Sequence, residues 1–542
     1  MTSLAPTVAV TSAFTTPKAR SWSTPIALGI GAVVAILAWG SGGGPAPITI
    51  DLPGNGAIEL GATSVLSLIS ALLALVGAVY AFVLVGRRTP VPFWLILAVV
   101  IVVVVAVDLR INAGTHVSVG TLVGEIGGVI AAILLGRLAG VGGVIAAVTL
   151  FGFGFAGAWQ QVRFVWSEPT NLIQLDPWAV NSQLLGLIVG VLAVAAAILS
   201  WRYRRAGDGA KAPIWLSLVV GLTFLVGLVA WVGSGGDIPV VFLLTGAIGL
   251  STAVVFGSLA GVIGERVGIV NIAIEGQLLG GAFISAVVAT VTHNLVLGLL
   301  AAMIIGALLS MVLAVFAITY LVDQVVVGVV LVALMIGVTN FFYSAALSDN
   351  SQTLNYPGTF DFLPIPLLSD IPVLGPVLFD QRITTYVMFL LVPTVWFVLF
   401  KTRWGLRIRA LGEHPLAADT VGINVNRWRF WTVTVAGAIA GFGGAALTLG
   451  SIGPFVREMS AGQGFIALAC VILGRWNPFL AAAAALLFGF SRNFRIWAGQ
   501  AGSTIPPDLI AMAPYLVTLI AVAVLVGRAV APKAVGRPYI KE

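Results

Sequence analysis

The run Leu295–Thr319, LVLGLLAAMIIGALLSMVLAVFAIT, decides the fold. It holds no charged residue and no proline. Wound as an α-helix at 1.5 Å per residue, it is long enough to cross the roughly 30 Å hydrocarbon core of a bilayer. Backbone groups inside lipid must pair within their own segment, which leaves helices or closed barrels, and runs of this length select helices. Working outward, comparable apolar stretches lie at 25–43, 61–86, 92–108, 117–137, 139–158, 183–201, 213–233, 239–262 and 268–291. Towards the C-terminus come 325–346, 384–400, 430–450, 461–474, 478–490 and 510–527. The expected fold is therefore an all-α polytopic membrane protein of about 14–16 spans.

Composition agrees. Of 542 residues, 59% are hydrophobic and 9% charged, and the mean hydropathy is +1.09. Soluble domains average about 25% charged residues, so no soluble core could absorb this much apolar surface. The net charge of +7 comes from basic residues scattered between apolar runs. That is the pattern of positive loops on the cytoplasmic side, and no nucleic-acid partner is expected from it. Alternating the spans from Lys18 and Arg20 puts about twenty of the 27 basic residues on one side, with both termini cytoplasmic. The stretch after Arg20 imitates a signal peptide, but the many later spans favour a first membrane helix. Cys470 is the single cysteine and permits no internal disulfide.

Two pieces, 461–474 and 478–490, are too short to span as straight helices. Residues 474–477, GRWN, separate them. Broken or re-entrant helices of this kind line pathways in transporters; two tilted or buried short helices are the plainer alternative. The longest loop, 347–383, carries Asp349, Asp361, Asp370 and Asp380 with repeated prolines, and the alternation places it outside.

Against this background residues 407–425, RIRALGEHPLAADTVGINV, stand out as charged and polar. A membrane protein has little physical reason to keep such a segment unless something in the water touches it. Pro415 suits a first helical turn, and Gly422 suits a helix C-cap. Asn271 and Glu275, four residues apart near a helix start, are expected to share one face and to act as a structural polar pair. A carboxylate in a membrane is otherwise a functional candidate. Gly437 and Gly441 form GxxxG, which favours close helix crossing within the subunit or between subunits.

From about residue 240 onward the chain resembles a permease subunit of the simple sugar/nucleoside ABC importers, within the branched-chain amino acid and ribose permease superfamily. The resemblance rests on five collinear blocks: GERVGIVNIAIEGQLLGGAF at 264–283, PIPLLSDIPVLGPVLFDQ at 364–381, TRWGLRIRALGEHPLAADTVGINV at 402–425, SAGQGFIALACVILGRWNPF at 460–479 and APKAVGRPYIKE at 531–542. It implies an importer permease core over 236–542, preceded by an N-terminal transmembrane extension over 1–235 of unassigned role. It also implies a cytoplasmic ABC ATPase that binds ATP and Mg, a second homologous permease subunit, and a substrate-binding lipoprotein. The chain would sit in surrounding membrane lipid, in a prokaryotic cell membrane. Residues 407–425 would be the coupling region, with Arg409, Glu413, His414, Pro415, Ala418 and Gly422 at the ATPase. Gln463, Phe465, Asn340 and Phe341 are candidates for a substrate path, since aromatics stack on a base and amides bond its edges. Relatives often carry Ser and Asn where this chain has Val327 and Val332, which points to a more apolar or smaller substrate, or to one read by the partner subunit.

No G-x-x-x-x-G-K-[ST] occurs, so the chain has no Walker A phosphate cradle and is not expected to be an enzyme. His116, His293 and His414 are far apart in sequence, so no metal site is expected and no cofactor is assigned to this chain. The expected function is nucleoside import, with a simple sugar or another small polar solute as the alternative cargo. An ion-coupled secondary carrier would need titratable groups at mid-membrane depth, where only Glu125 looks deep, with Glu275 and Asp323 nearer helix ends. An assembly or scaffold role for the N-terminal helices is a third reading.

Overall fold

A computed structural model describes residues 48–52, 56–60, 116–118, 145–146, 149–150, 160–167, 173–205, 214–500 and 530–540. The expected spans at 25–43, 61–86, 92–108 and 510–527, with Glu125, lie outside the described residues, as does most of 139–158. Of the run expected at 117–137 only 117–118 are described, in the short strand His116–Ser118, and the rest lies outside the described residues. The chain divides into two compact units, 1–157 with 187–224, and 158–186 with 225–542.

In the first unit, strands β1 (Ile48–Leu52), β2 (Gly56–Leu60) and β3 (His116–Ser118) form a small sheet of order β2-β1-β3. In the second, β4 (Gln161–Val165) pairs antiparallel with β5 (Trp178–Asn181) and parallel with β6 (Asp237–Pro239). Arg163 and Asp237 join neighbouring strands of that sheet through a 2.7 Å ion pair. Helices α1 (Ser182–Arg205) and α2 (Ile214–Val232) come after strand β5.

The second unit is a helical bundle: α3 (Val240–Arg266), α4 (Ile274–Thr292), α5 (Leu295–Ala314) and α6 (Gln324–Phe342), then the short α7 (Ser351–Leu354). After a β7–β8 hairpin (Phe362–Pro364 with Asp380–Arg382) come α8 (Ile383–Lys401), α9 (Arg403–Glu413), α10 (Pro415–Thr420) and α11 (Val425–Leu447). The helices α12 (Gln463–Leu473) and α13 (Pro478–Gln500) complete the bundle. Single π-helical turns extend α5 to Thr319, α6 to Leu347 and α11 to Ile452. Eight described helices are long and apolar enough to cross a membrane. The all-α polytopic expectation therefore holds, with only short strands.

The helix α3 is the axis of the bundle, buried almost continuously from Ser251 to Glu265. An apolar helix buried on all sides needs small residues where neighbours cross, because helices in lipid associate by close packing. A Cβ at Gly441 would overlap the Ala302 carbonyl of α5, and one at Gly444 would overlap the Leu278 carbonyl of α4. The Gly437–Gly441 pair thus crosses α5 inside the subunit. Gly441→Ala is expected to destabilise the protein by about 1–3 kcal/mol, as overpacking typically does. Thermal unfolding monitored by size-exclusion chromatography measures it.

One sequence expectation changes here. The segment 478–490 belongs to a full-length helix, because its polar continuation is satisfied inside the bundle. Ser491 donates to the Leu487 carbonyl, and Asn493 Nδ2 donates to the Phe242 and Leu243 carbonyls. The loop 347–383 is ordered against the α11–α12 connection: Asn355 donates to the Phe455 carbonyl and accepts from the Phe455 N–H.

Candidate functional site

Two helices start inside the bundle rather than at its face. Ile274, the first residue of α4, packs beside Gly257 and Gly261 of α3. That is about 8–14 Å along the axis from the α3 C-terminus at Arg266. The connection 267–273 folds back to reach it, with Gly268 at φ +98° under the Arg429 guanidinium. The helix α12 has only 11 residues, about 16 Å, so it too begins at depth. Helix N-termini leave N–H groups unpaired, a costly arrangement when buried. The Glu275 carboxylate resolves this for α12: Oε1 accepts from the Ser460 hydroxyl at 2.7 Å and the Gly462 N–H at 2.8 Å, and Oε2 accepts from the Gly464 N–H at 2.6 Å. Gly464 has no room for a side chain there, since a Cβ would overlap the Glu275 backbone.

Asn271 lies before α4, not on it, so it does not share a helical face with Glu275. The helix starts later than its apolar run because the chain must first turn back into the bundle. Asn271 instead exchanges hydrogen bonds with the Gln277 amide, which donates on to Ser310 of α5 at 2.9 Å. The expected pair is two separate buried networks.

Of the proposed path residues, Asn340 and Gln463 lie at the same α11–α12 connection, 453–462. Gln463 is only 2% exposed, and its Oε1 has no hydrogen-bond partner. A buried acceptor without a protein partner calls for an explanation, and a bound solute is one. Asn340 Nδ2 reaches Glu458 Oε1 at 3.4 Å, and its own Oδ1 is unpartnered. Arg457 donates to Ser344 and lies over the Tyr343 ring. Phe341 and Phe465 are exposed. Along α6, Val326, Val330 and Leu334 continue this exposed face. Val327 and Val332 are buried instead, against α4 in the case of Val332. Their apolar character is a packing requirement, and they remove no contact from the exposed face.

At the other end of the bundle, α9 and α10 form a short double helix. Thr402 Oγ1 caps α9 at the Gly405 N–H. Pro415 opens α10, and Gly422 at φ +83° closes it. The Gly422 N–H bonds the Asp419 carbonyl and the Ile423 N–H bonds the Ala418 carbonyl, a Schellman termination. Leu416, Ala417 and Val421 are exposed with Glu413 and His414. Ala418 is buried, so its small side chain serves packing beneath α10 and not the outer surface. Arg409 is partly buried over the Phe400 ring, which Arg266 also approaches.

The most consequential residue at this end was not singled out from sequence. Arg429 on α11 is 1% exposed. Its guanidinium donates to three backbone carbonyls: Val267 after α3, Leu411 of α9, and Arg537 of the C-terminal segment. That segment also bonds α9 directly, Ala534 N–H to the Gly412 carbonyl at 2.8 Å. Beside it, Glu265 accepts from the Trp476 indole, and Arg266 donates to the Trp476 carbonyl. One arginine among the scattered basic residues gave no distinguishing signal except its place at the edge of an apolar run.

The branched-chain amino acid transport system / permease component family model matches residues 243–527. The chain belongs to this permease family. The match begins within α3 and covers the bundle just described. A guanosine ABC transporter permease of Bacillus subtilis, NupQ, is 42% identical over 302 residues, 52% of this chain and 92% of the relative. A nucleoside ABC transporter permease of Lactococcus lactis, NupC, is 40% identical over 300 residues, 54% of this chain and 94% of the relative. A putative glucose ABC transporter permease of Haloferax volcanii is 35% identical, covering 46% of this chain and 74% of the relative. No solved structure gives a significant match. The permease is thus a multi-pass membrane protein whose family region runs from α3 through α13 to residue 527.

Proposed function

We propose that this permease is the transmembrane subunit of an ATP-driven importer whose cargo is a nucleoside. The observation that carries the drive is the α9–α10 unit. It presents Leu416 and Val421, the latter 74% exposed, on a helix fixed at both ends. It is tied through Leu411 to Arg429 and so to α3 and α11. A push on α10 therefore reaches the bundle axis through hydrogen bonds rather than through a slack loop. A separate ABC ATPase, carrying ATP and Mg, would dock there, with Glu413, His414 and Pro415 beside the contact and Arg409 behind it. On this reading α9, α10 and both chain termini face the cytoplasm of a prokaryotic cell, the side that the alternation of positive loops favours. A second homologous permease and a substrate-binding lipoprotein complete the assembly, and hydrolysis belongs to the ATPase.

The cargo reading rests on the guanosine and nucleoside permeases named above. The chemistry near α12 supports it: an unpartnered buried amide oxygen on Gln463, a second on Asn340, and exposed rings at Phe341 and Phe465. Such groups suit a flat polar heterocycle with hydrogen-bonding edges. A simple sugar is the second reading, favoured by the Haloferax relative. Ion coupling finds less support, because Glu275 is held by three donors and Asp323 caps α6 at the Val325 and Val326 N–H groups.

The Leu416→Asp/Val421→Asp double variant tests the docking surface. Both side chains point outward, so the melting temperature is expected to stay within about 2 °C, a surface-substitution effect. Co-purification of the ATPase is expected to fall more than about tenfold, as loss of a central apolar contact does. A variant that still holds the ATPase and transports normally would overturn the assignment.

A further inference from the structure

Between α8, α9 and α11 the bundle carries an open groove of about 810 Å³. Its lining is ordered by depth. Arg427, Trp431, Val435 and Ile439 line it at four-residue spacing along α11, so they form one stripe running from cationic to aromatic to aliphatic. On the facing wall, Arg407 and Trp404 of α9 stand at the cationic end, while Val398, Val395 and Leu391 of α8 continue the aliphatic end. Trp404, Trp431 and Val435 are each more than half exposed. Arg407 lies over the Trp428 ring, 5.3 Å from its centre. Neither Arg407 nor Arg427 has an ion-pair partner among the described residues.

We infer that this groove is a binding site for one anionic phospholipid, with its phosphate at Arg407 and Arg427 and an acyl chain along α8 and α11. The order of chemistry carries the assignment. A phospholipid presents phosphate, then the polar–apolar boundary, then hydrocarbon, and the groove presents cations, then tryptophans, then aliphatics in that sequence. Tryptophan is the residue of the membrane–water boundary, and unpaired arginines there select anionic headgroups. The charge end of the groove includes Val421, Gly422 and Asn424, the segment that closes α10. A headgroup held there would touch the same turn that the docking surface ends on. The inference itself rests only on the membrane location of the bundle, not on the cargo or the ATPase.

Native mass spectrometry of the full-length chain, extracted from bilayers of equal phosphatidylglycerol and phosphatidylcholine, tests it. Wild-type protein is expected to retain phosphatidylglycerol over phosphatidylcholine by about thirtyfold, the effect two interfacial arginines supply. The Arg407→Gln/Arg427→Gln double variant is expected to fall to parity, while Arg457→Gln, at the far end of the bundle, keeps the preference. Val435→Trp, which fills the trough without changing charge, is expected to reduce adducts of both lipids. Equal retention by wild-type protein, or an unchanged preference in the double variant, would overturn the inference. So would a Val435→Cys side chain that crosslinks efficiently to another polypeptide in native membranes, because the groove would then be a protein interface.

Discussion

Arg429→Met is expected to produce the largest loss of stability of any single substitution in the bundle. Methionine keeps much of the volume and removes the guanidinium, leaving the Val267, Leu411 and Arg537 carbonyls without their donor. Hydrogen bonds to a charged group contribute about 1.5–3 kcal/mol each, and these three are long at 3.2 to 3.5 Å. A combined cost of about 3–5 kcal/mol is therefore expected, less than simple addition because the bonds share one donor group. Two readouts separate packing from linkage. Thermal unfolding should show the destabilisation. Proteolysis should show the C-terminal segment 530–540 released from α9, since Arg537 and Ala534 hold it there. Arg429→Lys keeps the charge but not the three-way geometry of the planar fork, so it should recover less than half of the loss. Full recovery by lysine would mean that charge alone matters and would contradict the linking role.

Glu275→Ala carries the second large effect. Its carboxylate is the cap of α12, and three donors converge on it within 2.8 Å. Alanine leaves the Gly464 N–H and the Ser460 hydroxyl buried and unpaired, and the part-buried Gly462 N–H without its acceptor. An unmade buried hydrogen bond costs about 1–3 kcal/mol, so the expected destabilisation is again several kcal/mol. The local consequence is more specific. Without the cap the first turn of α12 should fray, displacing Gln463 and Phe465. Transport should therefore fall by at least about tenfold even at a temperature where the protein stays folded, since misplaced binding groups are that costly. Glu275→Gln retains one acceptor oxygen and should keep the fold with partial transport. Were Glu275→Ala to transport at wild-type rates, the α12 start would not form part of the path.

Much of this architecture was legible in the sequence because lipid imposes a simple rule: uncharged runs of sufficient length become helices. That rule placed α5, α6, α8 and α11 within a few residues. It failed where the backbone turns inside the bundle. Nothing in GERVGIVNIAIEG distinguishes a helix from a chain that folds back before restarting, because Gly268 matters through Arg429, far along the chain, and the Asn271–Gln277 amide pair forms only once the chain has turned back. It also cut α13 short at SRN, since Ser491 and Asn493 read as polar until their carbonyl partners on α13 and α3 are seen. The segment 407–425, proposed to dock the ATPase, was visible as a polar interruption, and Pro415 and Gly422 occupy the cap positions their chemistry suggested. Its attachment was not visible. A single arginine at the edge of an apolar run looks like any other until three carbonyls are found round it.

ATP hydrolysis on a separate subunit is proposed to drive a nucleoside through this bundle. Uptake of radiolabelled guanosine into proteoliposomes tests that drive most directly, using the permease pair, the ATPase and the substrate-binding lipoprotein, with ATP supplied on the ATPase side. Accumulation against a gradient is expected only with ATP and the intact ATPase, and it should disappear with Leu416→Asp/Val421→Asp. Accumulation by the permease alone, driven by a proton or sodium gradient without ATP, would contradict the account.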